Sequence, residues 1–376
     1  MHLRNHIRPV GLILSAGLLA SLLCAKSCTG IQASDSATSH TASGRPALLT
    51  KPVVYTRAQL DHENYPYHSW AFTKLVDDSM QVNAMGKASI FYDWMDKAVR
   101  TSGLRLAPNG ATVSDMLEAR KHAIESVSAS QRADAELAAC ADVHRLIKVV
   151  LPKFSLDRGF EFSNAVKLGE RQCFLQSFII AGLLQRMGID AGVEMVYANE
   201  RGEETNNGHA VTLVKLQNGH DIIVDASEPT PFAHHQGLFV KIPAYRYVMP
   251  VYEITTGQIV YYRAAGGDAR LPVARVRTLG LDFLGSQFWY YRGERAPGGL
   301  LLSPRTTTGL KAAEHCLRMS VRTCPSNPLA VYMLGRVFLA EGNKAEAKKY
   351  IDSAYKLYKD FGWIPQGERE YYLRMK

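Results

Sequence analysis

The alternation of apolar and polar positions divides the chain into a helical first part, a strand-rich middle and a helical end. Residues 68–100 read as irregular and then helical. Ser114, Met116, Leu117 and Ala119 open a pattern at helical spacing that continues with breaks through Ala135, Leu137, Ala141, Val143, Leu146 and Val150 and stops at Pro152. In residues 163–187, SNAVKL leads into RQCFLQSFIIAGLLQRM, apolar on almost every face apart from Gln176, Ser177 and Gln185. A helix apolar around most of its circumference is a central, buried one, and Gly188 supplies its left-handed stop.

After that stop, GVEMVYANE alternates as a strand does, and the polar run ERGEETNNG leads into HAVTLVKL. Gln217, Asn218 and Gly219 turn the chain, which returns as HDIIVDA; this is the best hairpin signal in the sequence. Strand-like pieces LFVKI, YVMPVYEI and QIVYYRA follow between Gly and Pro clusters. LDFLGSQFWYYRGERAPGG then reads as an ordered helix and loop, and the end of the chain is helical again. The pattern predicts an α+β fold in which a Cys-bearing helix packs on an antiparallel sheet, with a small α-helical module at the C-terminus. The expected division is 61–265 for the main domain (core 135–230), 266–310 for an irregular connector and 311–376 for the helical module.

The first residues change the picture of where the chain works. Arg4 and Arg8 precede an uncharged stretch, residues 9–25, with VGLILSAGLLASLLCA at its heart, the pattern of a secretory leader. Cleavage after Ser27, or after Ala33, satisfies the small-residue rule. Lipid attachment at Cys24 or Cys28 and an uncleaved membrane anchor are the competing readings. Residues 1–27 are thus expected to be a leader or membrane tether, residues 28–60 a flexible linker rich in Ser, Thr, Ala and Gly, and the rest an exported protein of the periplasm, cell envelope or medium.

A length of 376 residues, 47% hydrophobic and 21% charged, is ordinary globular material. The net charge of +9 is scattered without a basic block or stripe, so no nucleic-acid partner is expected. No Gly-rich phosphate loop follows a strand, and no Cys or carboxylate stands at ligand spacing around His220, His234 or His235, so neither cofactor nor metal is expected. Beyond the leader the cysteines are Cys140, Cys173, Cys316 and Cys324. Cys316 and Cys324 are close enough to pair across a helix end, or are two unrelated half-buried thiols.

Three residues carry the candidate chemistry. Cys173 stands at the start of the buried helix, where unpaired amides favour a thiolate, with Arg171 as a nearby cation. His209 opens the first strand of the hairpin and Asp225 closes the second, so both fall at one end of the ribbon. The turn decides whether they meet. A two-residue turn pairs position i with 437 minus i, placing His209 opposite Glu228 and Asp225 on the other side. A three-residue loop with Gly219 left-handed makes the sum 436, so Val211 opposes Asp225 and His209 becomes its diagonal neighbour on one face. A Cys-His-Asp triad predicts the second arrangement.

The runs QCFLQSFIIAGLLQRMGIDAGVEMV, NGHAVTLV and IIVDASEP resemble the transglutaminase-like superfamily, a papain-type fold. The resemblance covers roughly residues 135–230. It implies Cys173 as nucleophile, His209 as general base and acid, Asp225 as the orienting carboxylate and the Cys173 amide as an oxyanion donor. The implied chemistry is thiol acyl transfer on amide or peptide bonds of a protein or peptide substrate, ending in hydrolysis or cross-linking. Where the family usually has Gly two residues before the Cys this chain has Arg171, and Val211 stands where an aromatic commonly follows His-Ala. In the C-terminal module, Leu334, Gly335, Phe338, Ala347, Ile351 and Ala354 resemble a tetratricopeptide repeat, which implies packing on the main domain and a surface for a protein partner. The alternative to an enzyme is a catalytically silent scaffold that holds a partner through those helices.

Overall fold

The computed structural model describes residues 64–375; the expected leader at 1–27 and linker at 28–60 lie outside them. Four helices come first: α1 (Trp70–Val82), α2 (Ala88–Ser102), α3 (Val113–Ser126) and α4 (Ala129–Val150). The long periodic stretch that begins at Ser114 is two helices because Val127 and Ser128 leave helical geometry between them. Thr112 closes the start of α3 with a capping box: its hydroxyl accepts from the Asp115 N–H, and Asp115 accepts from the Thr112 N–H.

Residues 163–187 also divide. Helix α5 (Phe162–Leu168) ends at Gly169 in the left-handed region, φ +66°. The chain then forms a short parallel ladder, β2 (Glu170–Arg171) on β1 (Lys153–Phe154), before α6 (Cys173–Arg186) begins. The ladder is what places Cys173 at the first position of its helix. Gly159 packs against it so closely that a Cβ there would stand 2.4 Å from the Arg171 carbonyl carbon, which excludes any side chain.

The six expected strands appear as β3 (Asp190–Ala198), β4 (Glu204–Lys215), β5 (Asp221–Val224), β7 (Gly237–Ile242), β8 (Ala244–Tyr252) and β9 (Ile259–Ala264), joined by two short unexpected ones, β6 (Phe232–Ala233) and β10 (Arg270–Leu271). They form an antiparallel sheet in the order β10-β9-β8-β7-β3-β4-β5-β6. One further pairing, Asp221 with Ile259, joins β5 to β9 and closes six strands into a barrel. The class is therefore α+β, and the closure was not visible in the strand pattern. Alternation sorts the strands: Val196, Val211, Leu213, Ile223, Leu238 and Ile259 fill the barrel. Val193, Met195, Ala210, Val214, Ile222 and Val224 belong instead to the larger core that contains α6. Helix and strand are also clasped by polar bonds inside that core, since the Ser177 hydroxyl donates to the Ala210 carbonyl and the Thr212 hydroxyl to the Ser177 carbonyl, both at 3.0 Å.

The hairpin has the three-residue loop. Leu216 N–H donates to the His220 carbonyl, Gly219 N–H returns to Leu216, and Gly219 has φ +85°, which a residue with a side chain adopts only at a cost. The observed partners, Thr212 with Val224 through Lys215 with Asp221, all sum to 436. His209 does not open its strand, however. β4 starts five residues earlier inside the expected polar loop, and His209 lies opposite Val196 of β3.

The C-terminal helices are α7 (Leu281–Glu294), α8 (Thr307–Thr323), α9 (Pro328–Ala340), α10 (Lys344–Phe361) and α11 (Gln366–Met375). The helix read in LDFLGSQFWYYRGE is α7, within the stretch expected as a connector. Leu334, Phe338, Ala347, Ile351 and Ala354 are buried between α9 and α10. Gly335 is needed there, because a Cβ would stand 2.7 Å from the Ile351 side chain. A single apolar core runs from Tyr65 through α6 to Phe361, and Trp363 packs its ring 4.6 Å from Tyr197 and 4.9 Å from Tyr247. Cys316 and Cys324 are both free thiols: the first points from α8 and the second ends it, its sulfur on Asp282. No helix among the described residues is long and apolar enough to cross a membrane.

Candidate functional site

The site stands where the first turn of α6 meets the end of the barrel. Cys173 is the first helical residue, so its own N–H has no partner within the helix; the first intrahelical bond is from Gln176 to Gln172. Its side chain is 4% exposed, and Sγ lies 3.8 Å from the carbonyl oxygen of Gly208, an exposed residue of β4.

His209 follows Gly208 and reaches both partners. Nε2 donates to Asp225 Oδ2 at 2.6 Å. The ring also lies near enough to Cys173 for the thiol to help raise its pKa, while the hydrogen bond that the Cys173 sulfur makes is to the Gly208 carbonyl. The imidazole is 22% exposed, so the site opens to solvent over His209 and Gly208. All three sequence-predicted residues are thus brought together in the order thiol, imidazole, carboxylate.

Asp225 is wholly buried and accepts three hydrogen bonds. Besides His209 these come from the Ser227 N–H to Oδ1 at 2.8 Å and from His235 Nε2 to Oδ2 at 3.0 Å. Burial by itself would raise the carboxyl pKa. The charge and hydrogen bond of His209, then the hydrogen bond of His235, outweigh it and hold the group well below the usual carboxylate range. Burial would lower the His209 pKa, but the Asp225 charge prevails, with Cys173 contributing, and raises it well above the ordinary histidine value. An imidazolium between a carboxylate and a thiol is the arrangement that stabilises a thiolate.

Arg171 does not act as the expected cation beside the thiol. Its guanidinium turns inward, Nε donating to Gln176 Oε1 at 2.6 Å and Nη1 to the Leu151 carbonyl at 2.5 Å. Gln176 in turn donates to the Ser227 hydroxyl at 2.8 Å. A line of hydrogen bonds therefore runs from the end of α4 through Arg171, Gln176 and Ser227 to Asp225. Glu228, the orienting residue under the two-residue turn, instead gives its carbonyl to Lys148 and His144 of α4, at 2.6 and 3.2 Å.

No carboxylate stands at ligand spacing around His235 in the sequence, but the fold brings one to it. Asp225, ten residues earlier, is its partner across the loop into β6. His209, Asp225 and His235 also form the cluster of potential metal ligands among the described residues, their ligand atoms within 4.8 Å of one another. An ion bound through the two Nε2 atoms would have to displace the protons that hydrogen-bond to Asp225. His234 is exposed and His220 bonds to Gln258, so neither joins the site.

A cavity of about 450 Å³ lies at the other end of α6, lined by Gln185, Gly188, Asp190, Lys215 and Arg277 among others. It shares no residue with the thiol site, from which the 14-residue helix separates it by about 20 Å. No protein-family model matches the chain, and no curated protein does.

Proposed function

We propose that the chain is an exported, transglutaminase-like cysteine enzyme with a papain-type core, performing thiol acyl transfer on amide or peptide bonds. One observation carries this reading: a thiol at the free first turn of a buried helix faces an imidazole whose far nitrogen is 2.6 Å from a buried carboxylate. In the proposed cycle the Cys173 thiolate attacks a substrate carbonyl carbon, and the unpartnered Cys173 N–H stabilises the oxyanion. As the C–N bond breaks, the His209 imidazolium gives its proton to the departing amine, leaving a thioester on Cys173. His209 then takes a proton from water, or from an acceptor amine, as that nucleophile displaces the sulfur. Water gives a peptidase, and an amine gives a cross-linking enzyme.

Selective alkylation tests the reading. At mildly acidic pH, iodoacetamide is expected to label Cys173 at least ~10-fold faster than the other thiols. Burial pushes Cys316 up to about 11, and Cys140 and Cys324 further. His209→Ala is expected to abolish the preference. Uniform slow labelling would instead support a silent scaffold with the helices of 311–376 as its partner-binding part, a second reading favoured by the 4% exposure of Cys173. Export rests on residues 1–27, and cleavage is read directly as the N-terminal residue of the mature protein.

A further inference from the structure

We propose that His235 is a positioning residue of the thiol site: its Nε2–H fixes Asp225 so that His209 presents its other nitrogen to Cys173. The inference rests on the Cys-His-Asp reading above. A carboxylate can turn about its final bond, and a single partner on one oxygen does not stop it. Asp225 is held at both oxygens, by the Ser227 N–H on Oδ1 and by two imidazoles sharing Oδ2. The His235 ring is itself fixed. It is 3% exposed, stands edge-on to His209 with centroids 5.3 Å apart, and its carbonyl accepts from the Tyr252 hydroxyl at 2.7 Å. Its Nδ1 is buried with no hydrogen-bond partner among the described residues. The proton therefore sits on Nε2, where Asp225 accepts it, because the other tautomer would bury an unsatisfied N–H.

Sharing one oxygen sets the direction of the electrostatic effect. Each donor on Oδ2 takes part of its charge, so His235 weakens the hold of Asp225 on the His209 proton. Without it, His209 is held more tightly but less well oriented. The other ionisable groups around the site are Cys173 on α6, Tyr291 on α7 behind Phe174, His144 and Lys148 on α4, Arg171 on β2, Glu228 after Asp225 and Tyr252 on β8. All remain in a His235 variant, so a change in titration reports the lost donor.

His235→Phe keeps a flat apolar filler and removes the donor, while His235→Gln keeps an N–H. The measurement is iodoacetamide alkylation of Cys173 against pH in the full chain, with NMR titration of the His209 ring in a Cys173→Ala background. H235F is expected to slow alkylation about 10-fold, the loss of one hydrogen bond to a charged group, and to raise the His209 titration by about half to one unit. H235Q is expected to stay near wild type in both. An unmoved His209 titration in H235F, or equal behaviour of Gln and Phe, overturns the proposal while fast wild-type alkylation keeps the thiol-enzyme reading intact. Slow wild-type alkylation overturns both. If H235F does not fold, wild-type behaviour of H235Q beside a moved titration in His235→Asn supports the proposal, and an unmoved one overturns it. Zinc bound at micromolar concentration and lost in H235Q would overturn it in favour of a metal site.

Discussion

Asp221 and Asp225 lie four residues apart at the two ends of β5, both wholly buried and each accepting three hydrogen bonds. Asp221 receives the Lys215 ammonium on both oxygens, at 3.0 and 3.1 Å, and the Tyr262 hydroxyl at 2.6 Å. Asp225 receives two imidazoles and a backbone N–H. Their titrations move in opposite directions. Burial, with Asp190 adding repulsion, pushes Asp221 up to about 6 despite Lys215 and Tyr262, whereas the histidines hold Asp225 well down despite the same burial. Equal burial and equal bond count therefore do not set the charge state; the charge and placement of the partners do. The Lys215 ammonium is also fully used, since its third bond goes to the Val273 carbonyl at 3.1 Å. At that end of the barrel every donor of the ion pair is committed to structure, while the Asp225 end leaves one nitrogen of His209 for a thiol.

The largest expected effect separates the two carboxylates by reactivity. Asp225→Asn should slow any turnover by about 10³–10⁴-fold, as loss of the orienting carboxylate does in the serine triad, and should abolish the preferential alkylation of Cys173. Asp221→Asn should leave both within about 3-fold of wild type, an allowance for two sites that share no partner. Comparable losses in both variants would show that β5 acts as one unit and that the contrast is wrong. Assay by iodoacetamide mass labelling needs no substrate.

Next in size is stability. Lys215→Met leaves Asp221 buried without its cation and should cost about 3–5 kcal/mol at neutral pH, less in acid, where Asp221 takes up a proton. Urea unfolding at the two pH values measures it, and a cost independent of pH would break the assignment.

The smallest effect is a slope. Asp221 has a folded pKa above its unfolded one, so the folded state binds the extra proton between about pH 4 and 6 and stability falls as pH rises through that window, by roughly 2–3 kcal/mol. Asp225 contributes the reverse: its stabilisation is present above the unfolded carboxylate range and is lost as pH falls below about 4. His209, with its pKa raised, stabilises fully below the unfolded histidine value and loses that contribution as pH rises through its folded pKa. Asp221→Asn should flatten the pH 4–6 slope and leave the acid loss in place, as read from unfolding midpoints across pH.

Much of the site was readable before the fold because it depends on local signals. The hairpin at Gln217–Gly219 was legible with its loop open between two and three residues; the observed three-residue loop makes the pairing sum 436 and puts His209 and Asp225 on one face. Arg171 was misread because charge and sequence distance say nothing of direction: its side chain leaves the thiol for Gln176 and Leu151. His235 was missed because its contact with Asp225 depends on how the chain turns through β6.

What the sequence alone determined is periodicity and order: which faces of α6, β4 and β5 are apolar, where the hairpin turns, and that Cys173 at a helix start is followed by His209 and Asp225 on the two strands around that turn. Only the tertiary structure decided that the sheet closes through Asp221 and Ile259, that α7 to α10 share the core of the Cys-bearing helix, and that a second histidine shares the buried carboxylate. Periodicity follows from the repeat of a helix or strand and is written residue by residue. Closure and shared partners depend on distances between segments far apart in the chain, which exist only once the barrel and the helices have packed.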